Sequence, residues 1–297
     1  QGIGFSDFLR YGHIAAAQCI HTGRDFKTFS EKDEAKATKN VNIRHALHQA
    51  LEKKELSLFY QPKVELTTGR TIDLEALVRW NSATLGPISP EEFIPMTERT
   101  LLIHPFSKWV VRQALKDSEK WKKLPRSPKL ALNFSVKNLI NQDLAYYLFQ
   151  QLSISSVATK NIEIEMTESA LADDIDRIAD TLARIREKGV KVAIDDFGTG
   201  ASSMQYLLDL PIDILKIDKH FVQAMEHNAH ANAIVKSAIE LGRALKVDVT
   251  AEGIETQDQF ELLKSMGCPY GQGYWIAKPM AAKDVTTWLE TPFAVHK

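Results

Sequence analysis

Apolar runs of strand length recur through most of this 297-residue chain, and segments of helical period separate nearly all of them. The candidate strands are Leu56 to Leu66, Ile72 to Trp80, Lys129 to Ser135, Asn161 to Thr167, Val190 to Asp195, Ile214 to Asp218, Val247 to Ala251 and a weaker one from Gly271 to Ile276. Ile175, Ile178, Ala179, Leu182 and Ile185 repeat at helical spacing up to a C-cap at Gly189, and Ile234, Ala238, Leu241 and Leu245 mark a second apolar face. Eight strands alternating with helices favour a (β/α)₈ barrel over an open doubly wound sheet. One junction departs from the pattern. Thr67 to Thr71 is too short for a crossover helix, so the strands it joins should be antiparallel. The expected fold is an α/β, TIM-like barrel with an irregular antiparallel first strand.

Nearly every candidate strand ends in a polar residue suited to a metal or a phosphate. These are Glu75, Asn133, Glu165, Asp195 with Asp196, Lys216 and Glu252. In a barrel such positions converge on one mouth, where the fold places its chemistry. Val190 to Gly200 is the sharpest case, an apolar run that stops in two adjacent carboxylates and a glycine-rich turn. Neighbouring strand residues face opposite ways, so both acids reach one site only if the backbone breaks its regular course, and Gly198 and Gly200 supply that freedom.

Taken singly, each acid reads as a solvated surface charge. Their joint placement reverses this. Glu75, Glu165, Asp195, Asp196 and Glu252 bring five negative charges, which Lys216 and two divalent cations bring to zero. Oxygen ligands with one amide, and no thiolate or imidazole, suit hard ions such as Mg²⁺ or Mn²⁺. Two such ions about 4 Å apart can clamp a phosphoryl group and activate water. His104, His220, His227 and His230 show no pairing that suggests catalysis, and Trp275 reads first as a core aromatic.

Thirty-seven basic and 38 acidic side chains leave a net charge of −1, which offers no general attraction to a nucleic acid polymer or an anionic membrane. Cys19 and Cys268 have no recurring spacing, and the histidines form no HExxH pattern, so a disulfide framework and structural zinc are both disfavoured and a reducing cytoplasm fits. No apolar run approaches the roughly 18 to 20 residues needed to cross a bilayer. Residues 1–40 differ from the rest: an amphipathic stretch from Phe5 to Ile20 leads into a charged, linker-like segment from Ser30 to Asn40. They are expected to be the tail of an upstream domain, with the main domain covering 41–297.

Glu75-Ala76-Leu77-Val78-Arg79-Trp80 resembles the signature of the EAL-domain cyclic di-GMP phosphodiesterases. Tyr60-Gln61-Pro62, Asn133-Phe134-Ser135, Glu165-Met166-Thr167-Glu168, Asp195-Asp196-Phe197-Gly198-Thr199-Gly200, Leu215-Lys216-Ile217-Asp218, Ala251-Glu252-Gly253-Ile254-Glu255 and Gly271-Gln272-Gly273-Tyr274 follow that family's order, from about Val41 to Trp288. The resemblance implies hydrolysis of cyclic di-GMP to linear pGpG with two Mg²⁺ or Mn²⁺. It makes Glu75, Asn133, Glu165 and Asp195 ligands of one metal, with Asp195 bridging to a second that also draws on Asp196. Lys216 would position the attacking water and Glu252 complete the metal or water shell, while Gln272 would join the site. Gln61 and Arg79 would contact the substrate, and Glu168 would pin the loop after Asp196. Phe8 to Phe29 also resembles the end of a GGDEF domain, placing such a remnant at residues 1–30.

A homodimer through that loop and the helix after it is a further implication of the resemblance. Two positions depart from the family pattern: Leu101 stands where glycine is usual, and Ala201 replaces a common aromatic. Two other functions compete. A receptor of the same fold would bind the dinucleotide without cutting it, although such relatives usually lack a metal ligand and this chain keeps them all. A barrel enzyme using metal-bound enolate chemistry also needs acids at strand ends.

Overall fold

The computed structural model describes residues 4–22, 30–122, 124, 128–168, 175–199, 207, 210–291 and 293. The chain divides into two compact units, Gln1–Leu56 with Trp80–Met96, and Ser57–Arg79 with Thr97–Lys297.

In the first unit, helices span Phe5–Thr22 and Glu31–Ala50. The charged segment from Glu31 to Asn40 is helical, since Glu, Lys and Ala are strong helix formers, and the same helix continues into Ile43, Leu47 and Ala50, all buried. Trp80 lies edge-on to Phe93 with centroids 5.3 Å apart and donates its indole N–H to Glu55 Oε2 at 3.0 Å.

The second unit holds the barrel, apart from Leu56 and the last residues of β2; its strands are β1 (Leu56–Glu65), β2 (Thr71–Ser82), β4 (Lys129–Asn133), β5 (Ile162–Thr167), β6 (Lys191–Phe197), β7 (Ile214–Ile217), β8 (Asp248–Ala251) and β9 (Tyr270–Gly271). Two further short strands are present: β3 (Gly86–Ile88), in the first unit and antiparallel to the end of β2, and β10 (Met280–Ala281), in the second unit and antiparallel to β1. Pairing runs β1-β9-β8-β7-β6-β5-β4-β2 and closes through β1–β2, an eight-stranded TIM-like barrel. From β2 round to β9 the neighbours are parallel, whereas β1 is antiparallel to β9, as the short Thr67 to Thr71 link requires.

The weak Gly271 to Ile276 strand shrinks to two residues because the chain turns after Gln272, where Ile276 N and Ala277 N both bond Gly273 O. A Cβ on Gly273 would run into the backbone of Ile254, so only glycine lets the turn approach so closely. Along Ile175–Glu187 the expected apolar face is buried at Ile178, Leu182 and Ile185, and Gly189 takes φ +85° beyond it. Along Ala229–Leu245 the buried face is instead Ala231, Val235, Ala238, Ile239 and Gly242, leaving Ile234 exposed. Small residues there let the helix sit close to the sheet: a Cβ on Gly242 would strike the Val249 side chain on β8.

Candidate active site

Strand alternation sends Glu75 from β2, Glu165 from β5, Asp195 from β6 and Lys216 from β7 into the barrel, and Glu252 follows β8 directly. Lys216 is fully buried and gathers the acids. Its Nζ lies 2.7 Å from Glu165 Oε2, 2.7 Å from Glu252 Oε1, 3.1 Å from Asp195 Oδ2 and 3.7 Å from Glu75 Oε2. Two amides complete the ring: Asn133 Nδ2 donates to Glu75 Oε1 at 2.9 Å, and Gln272 Nε2 donates to Glu75 Oε2 at 2.7 Å and Glu252 Oε1 at 2.9 Å.

The adjacent acids are reconciled by a break on the strand itself. Register shifts between Ile194 and Phe197 on β6, and Asp196 adopts φ +55°, a left-handed conformation unusual for a residue with a side chain. The sequence reading put this freedom on the glycines. Gly198 does take φ +96°, but the turn that re-aims the second carboxylate is on Asp196. Gly200, Ala201 and the helix expected after them lie outside the described residues, as do residues 1–3 and 23–29 of the proposed GGDEF-like tail.

Crowded acids around one ammonium shift each other's ionisation. Burial disfavours the Lys216 charge, yet Asp195, Glu165, Glu252 and Glu75 outweigh it and hold the lysine well above its ordinary pKa. Burial drives Glu165 well above the usual carboxylate range against the pull of Lys216. Burial, then the Asp195 charge, pushes Glu252 up to about 8 and Asp196 up to about 6. Glu75 goes the other way: Lys216 and the two amides outweigh burial and lower it. Without added cations, then, part of the ring stores protons.

Two groups of three carboxylates have ligand atoms mutually within 4.8 Å: Glu75, Glu165 and Asp195, and Asp195, Asp196 and Glu252. Asp195 belongs to both. Glu165 Oε1 is buried with no hydrogen-bond partner, a costly arrangement for a carboxylate oxygen unless a cation engages it. All donors are hard oxygens, so the residues present fit divalent metal ions.

Glu168 Oε2 accepts from Gly198 N at 2.7 Å, which ties the turn after β6 to the end of β5. The two expected substrate contacts bond backbone carbonyls. Gln61 donates to Ala277 O at 3.1 Å, and Arg79 donates to Val78 O at 2.9 Å with its guanidinium 5.7 Å from the Phe59 ring centre. Trp275 packs on Phe260 and Phe293, as a core aromatic does.

Asp218 was given no role from the sequence. It is buried, its Oδ1 accepts from His220 N at 2.9 Å and lies 2.7 Å from His220 Nδ1, and its charge and hydrogen bond help to raise Asp196. The signal was available: Asp218 sits two residues after Lys216, on the same face of the strand's path.

Residues 44–279 match the EAL domain family. The chain is 36% identical over 287 residues to the Cyclic di-GMP phosphodiesterase PA2567 of Pseudomonas aeruginosa, covering 96% of this chain and 49% of that protein. It is 35% identical over 246 residues to the Probable cyclic di-GMP phosphodiesterase PdeB of Escherichia coli, covering 83% and 47%. It spans about half the length of these curated relatives. Among solved structures, the PaMucR phosphodiesterase in complex with c-di-GMP superposes with a TM-score of 0.78 at 36% identity, covering 82% of this chain and 99% of that one. With its motifs, its barrel and its carboxylate ring all in agreement, the chain belongs to the EAL domain family.

Proposed function

We propose that this chain is a metal-dependent phosphodiesterase that opens cyclic di-GMP to linear pGpG. The observation that carries the proposal is the sharing of Asp195 between two three-carboxylate groups, the arrangement a pair of bridged ions requires. Glu75, Asn133, Glu165 and Asp195 would hold one ion, and Asp195, Asp196 and Glu252 the other. Bound Mg²⁺ or Mn²⁺ would supply charge neutralisation at the phosphoryl oxygens and a lowered pKa for water. Relatives named for this activity and a superposable structure containing c-di-GMP support the substrate.

Lys216, held charged by its acids, positions the attacking water and stabilises charge developing on the phosphate; it is no neutral base. Glu252 and Gln272 orient the same water shell. As the P–O bond to the ribose 3′ oxygen breaks, Arg79 engages phosphate oxygens in a fork and Gln61 fixes the ligand at the rim. Glu168 acts through the backbone of Gly198.

Homodimerisation, a GGDEF-like origin for residues 1–30 and the division at residue 40 rest on the resemblance to relatives. A cytoplasmic setting is supported by Cys19 and Cys268, both free thiols. Among the described residues, no helix is long and apolar enough to cross a membrane. The test is release of linear pGpG from cyclic di-GMP with Mg²⁺ or Mn²⁺, against Asp195→Asn, Glu75→Ala and an EDTA-treated control. Binding of the dinucleotide without metal-dependent release would favour the receptor reading and reject the enzyme.

A further inference from the structure

A second buried lysine lies one step deeper in the barrel than Lys216 and takes no part in the scheme above. Lys63 on β1 is 1% exposed, and its Nζ lies 2.7 Å from Glu163 Oε1 and 3.4 Å from Asp73 Oδ2, both equally buried. Glu163 precedes Glu165 by two residues on β5, and Asp73 precedes Glu75 by two on β2. Positions two apart share a strand face, so this trio forms the layer directly beneath the carboxylate ring. Barrels of this kind ordinarily fill that layer with branched apolar side chains. Three charged groups there carry a desolvation cost that a hydrocarbon core would avoid.

Lys63 is the one cation of this layer, held by Glu163 and Asp73 and shielded from water, so its charge acts at short range on the layer above.

We infer that Lys63 sets the cation affinity of the ring above it: a fixed positive charge beneath Glu165 and Glu75 weakens binding of divalent ions and keeps the ion-free site folded. This rests on the paired-ion reading of the site. Removing the ammonium takes one positive charge from beneath the ligands, and a dication feels that change twice as strongly as a single charge does.

The test is calorimetric titration of Mn²⁺ into the wild type and Lys63→Met, with thermal melts with and without Mn²⁺. Lys63→Met is expected to melt lower without the ion, to bind Mn²⁺ about fivefold tighter or more, the scale of one screened charge at this range, and to gain more in Tm from Mn²⁺ than the wild type does. A structural ion pair alone would lower Tm equally in both conditions and leave affinity unchanged, which overturns the inference. If Lys63→Met does not fold, Glu163→Gln is compared with Lys63→Met/Glu163→Gln. Tighter binding by the double variant supports the inference, and equal binding overturns it. Failure of the wild type to bind Mn²⁺ at all would instead reject the paired-ion reading.

Discussion

The backbone N–H of Gly198 donates to the Glu168 carboxylate at 2.7 Å, joining the turn that follows the two aspartates to the end of the neighbouring strand. Asp196 must hold a left-handed conformation for its carboxylate to reach the Asp195 side of the site. An anchor two residues later limits how that strained turn can relax. Glu168→Ala should therefore lower kcat about 10- to 100-fold, the range for partners that orient metal ligands, with binding of the first ion retained. Steady-state kinetics and Mn²⁺ titration check this; an unchanged kcat would remove Glu168 from the loop's support.

Lys216 is the cation on which Glu165, Glu252, Asp195 and Glu75 all converge. Lys216→Met leaves buried acids without it, and the ion-free protein should lose about 3–5 kcal/mol of stability, the cost of breaking a buried pair. Activity should fall about 10²- to 10³-fold even with metal, as for loss of one electrostatic donor at developing charge.

Asp73 gives a pH dependence with a definite sign. Burial raises its folded-state pKa from 3.8 to about 7, so the folded state binds its proton more tightly than the unfolded chain does. Its contribution is complete below about pH 4 and is lost as pH rises through 7, amounting to about 4 kcal/mol at most. Asp73→Asn cannot titrate there. Denaturant melts at pH 5 and pH 8 should show a larger loss of stability between the two for the wild type than for the variant; equal losses would contradict the protonated Asp73.

Gly273 holds the chain against Ile254 directly after Gln272, whose amide bridges Glu75 and Glu252. Gly273→Ala places a methyl group into that backbone, and overpacking of this kind costs about 1–3 kcal/mol. The shift should also carry Gln272 off its two carboxylates and reduce turnover. Gln272→Ala serves as the comparison: it should lose turnover with little change in Tm, whereas Gly273→Ala should lose both.

Local pattern carried much of this protein. Each barrel strand was legible as an apolar run, and the antiparallel entry of β1 followed from five residues too few to cross a sheet. Glu75, Asn133, Glu165, Asp195 and Lys216 were legible because each interrupts or ends such a run. Other features stayed hidden where the signal was short or misleading. The strands Gly86–Ile88 and Met280–Ala281 are too brief to show a period, and the Glu31–Ala50 helix begins with too few apolar residues to show one.

Composition and spacing along the chain thus determined which chemical groups the barrel would hold and at which strand positions, since side-chain alternation is a property of a single strand. Only closure of the barrel decided how those groups meet: Lys216 among four acids, Asp195 common to two carboxylate groups, and Lys63 one layer below. Such contacts join residues as far as 141 positions apart, as Lys216 and Glu75 are, and their geometry depends on strand stagger and burial, which no local stretch of sequence encodes.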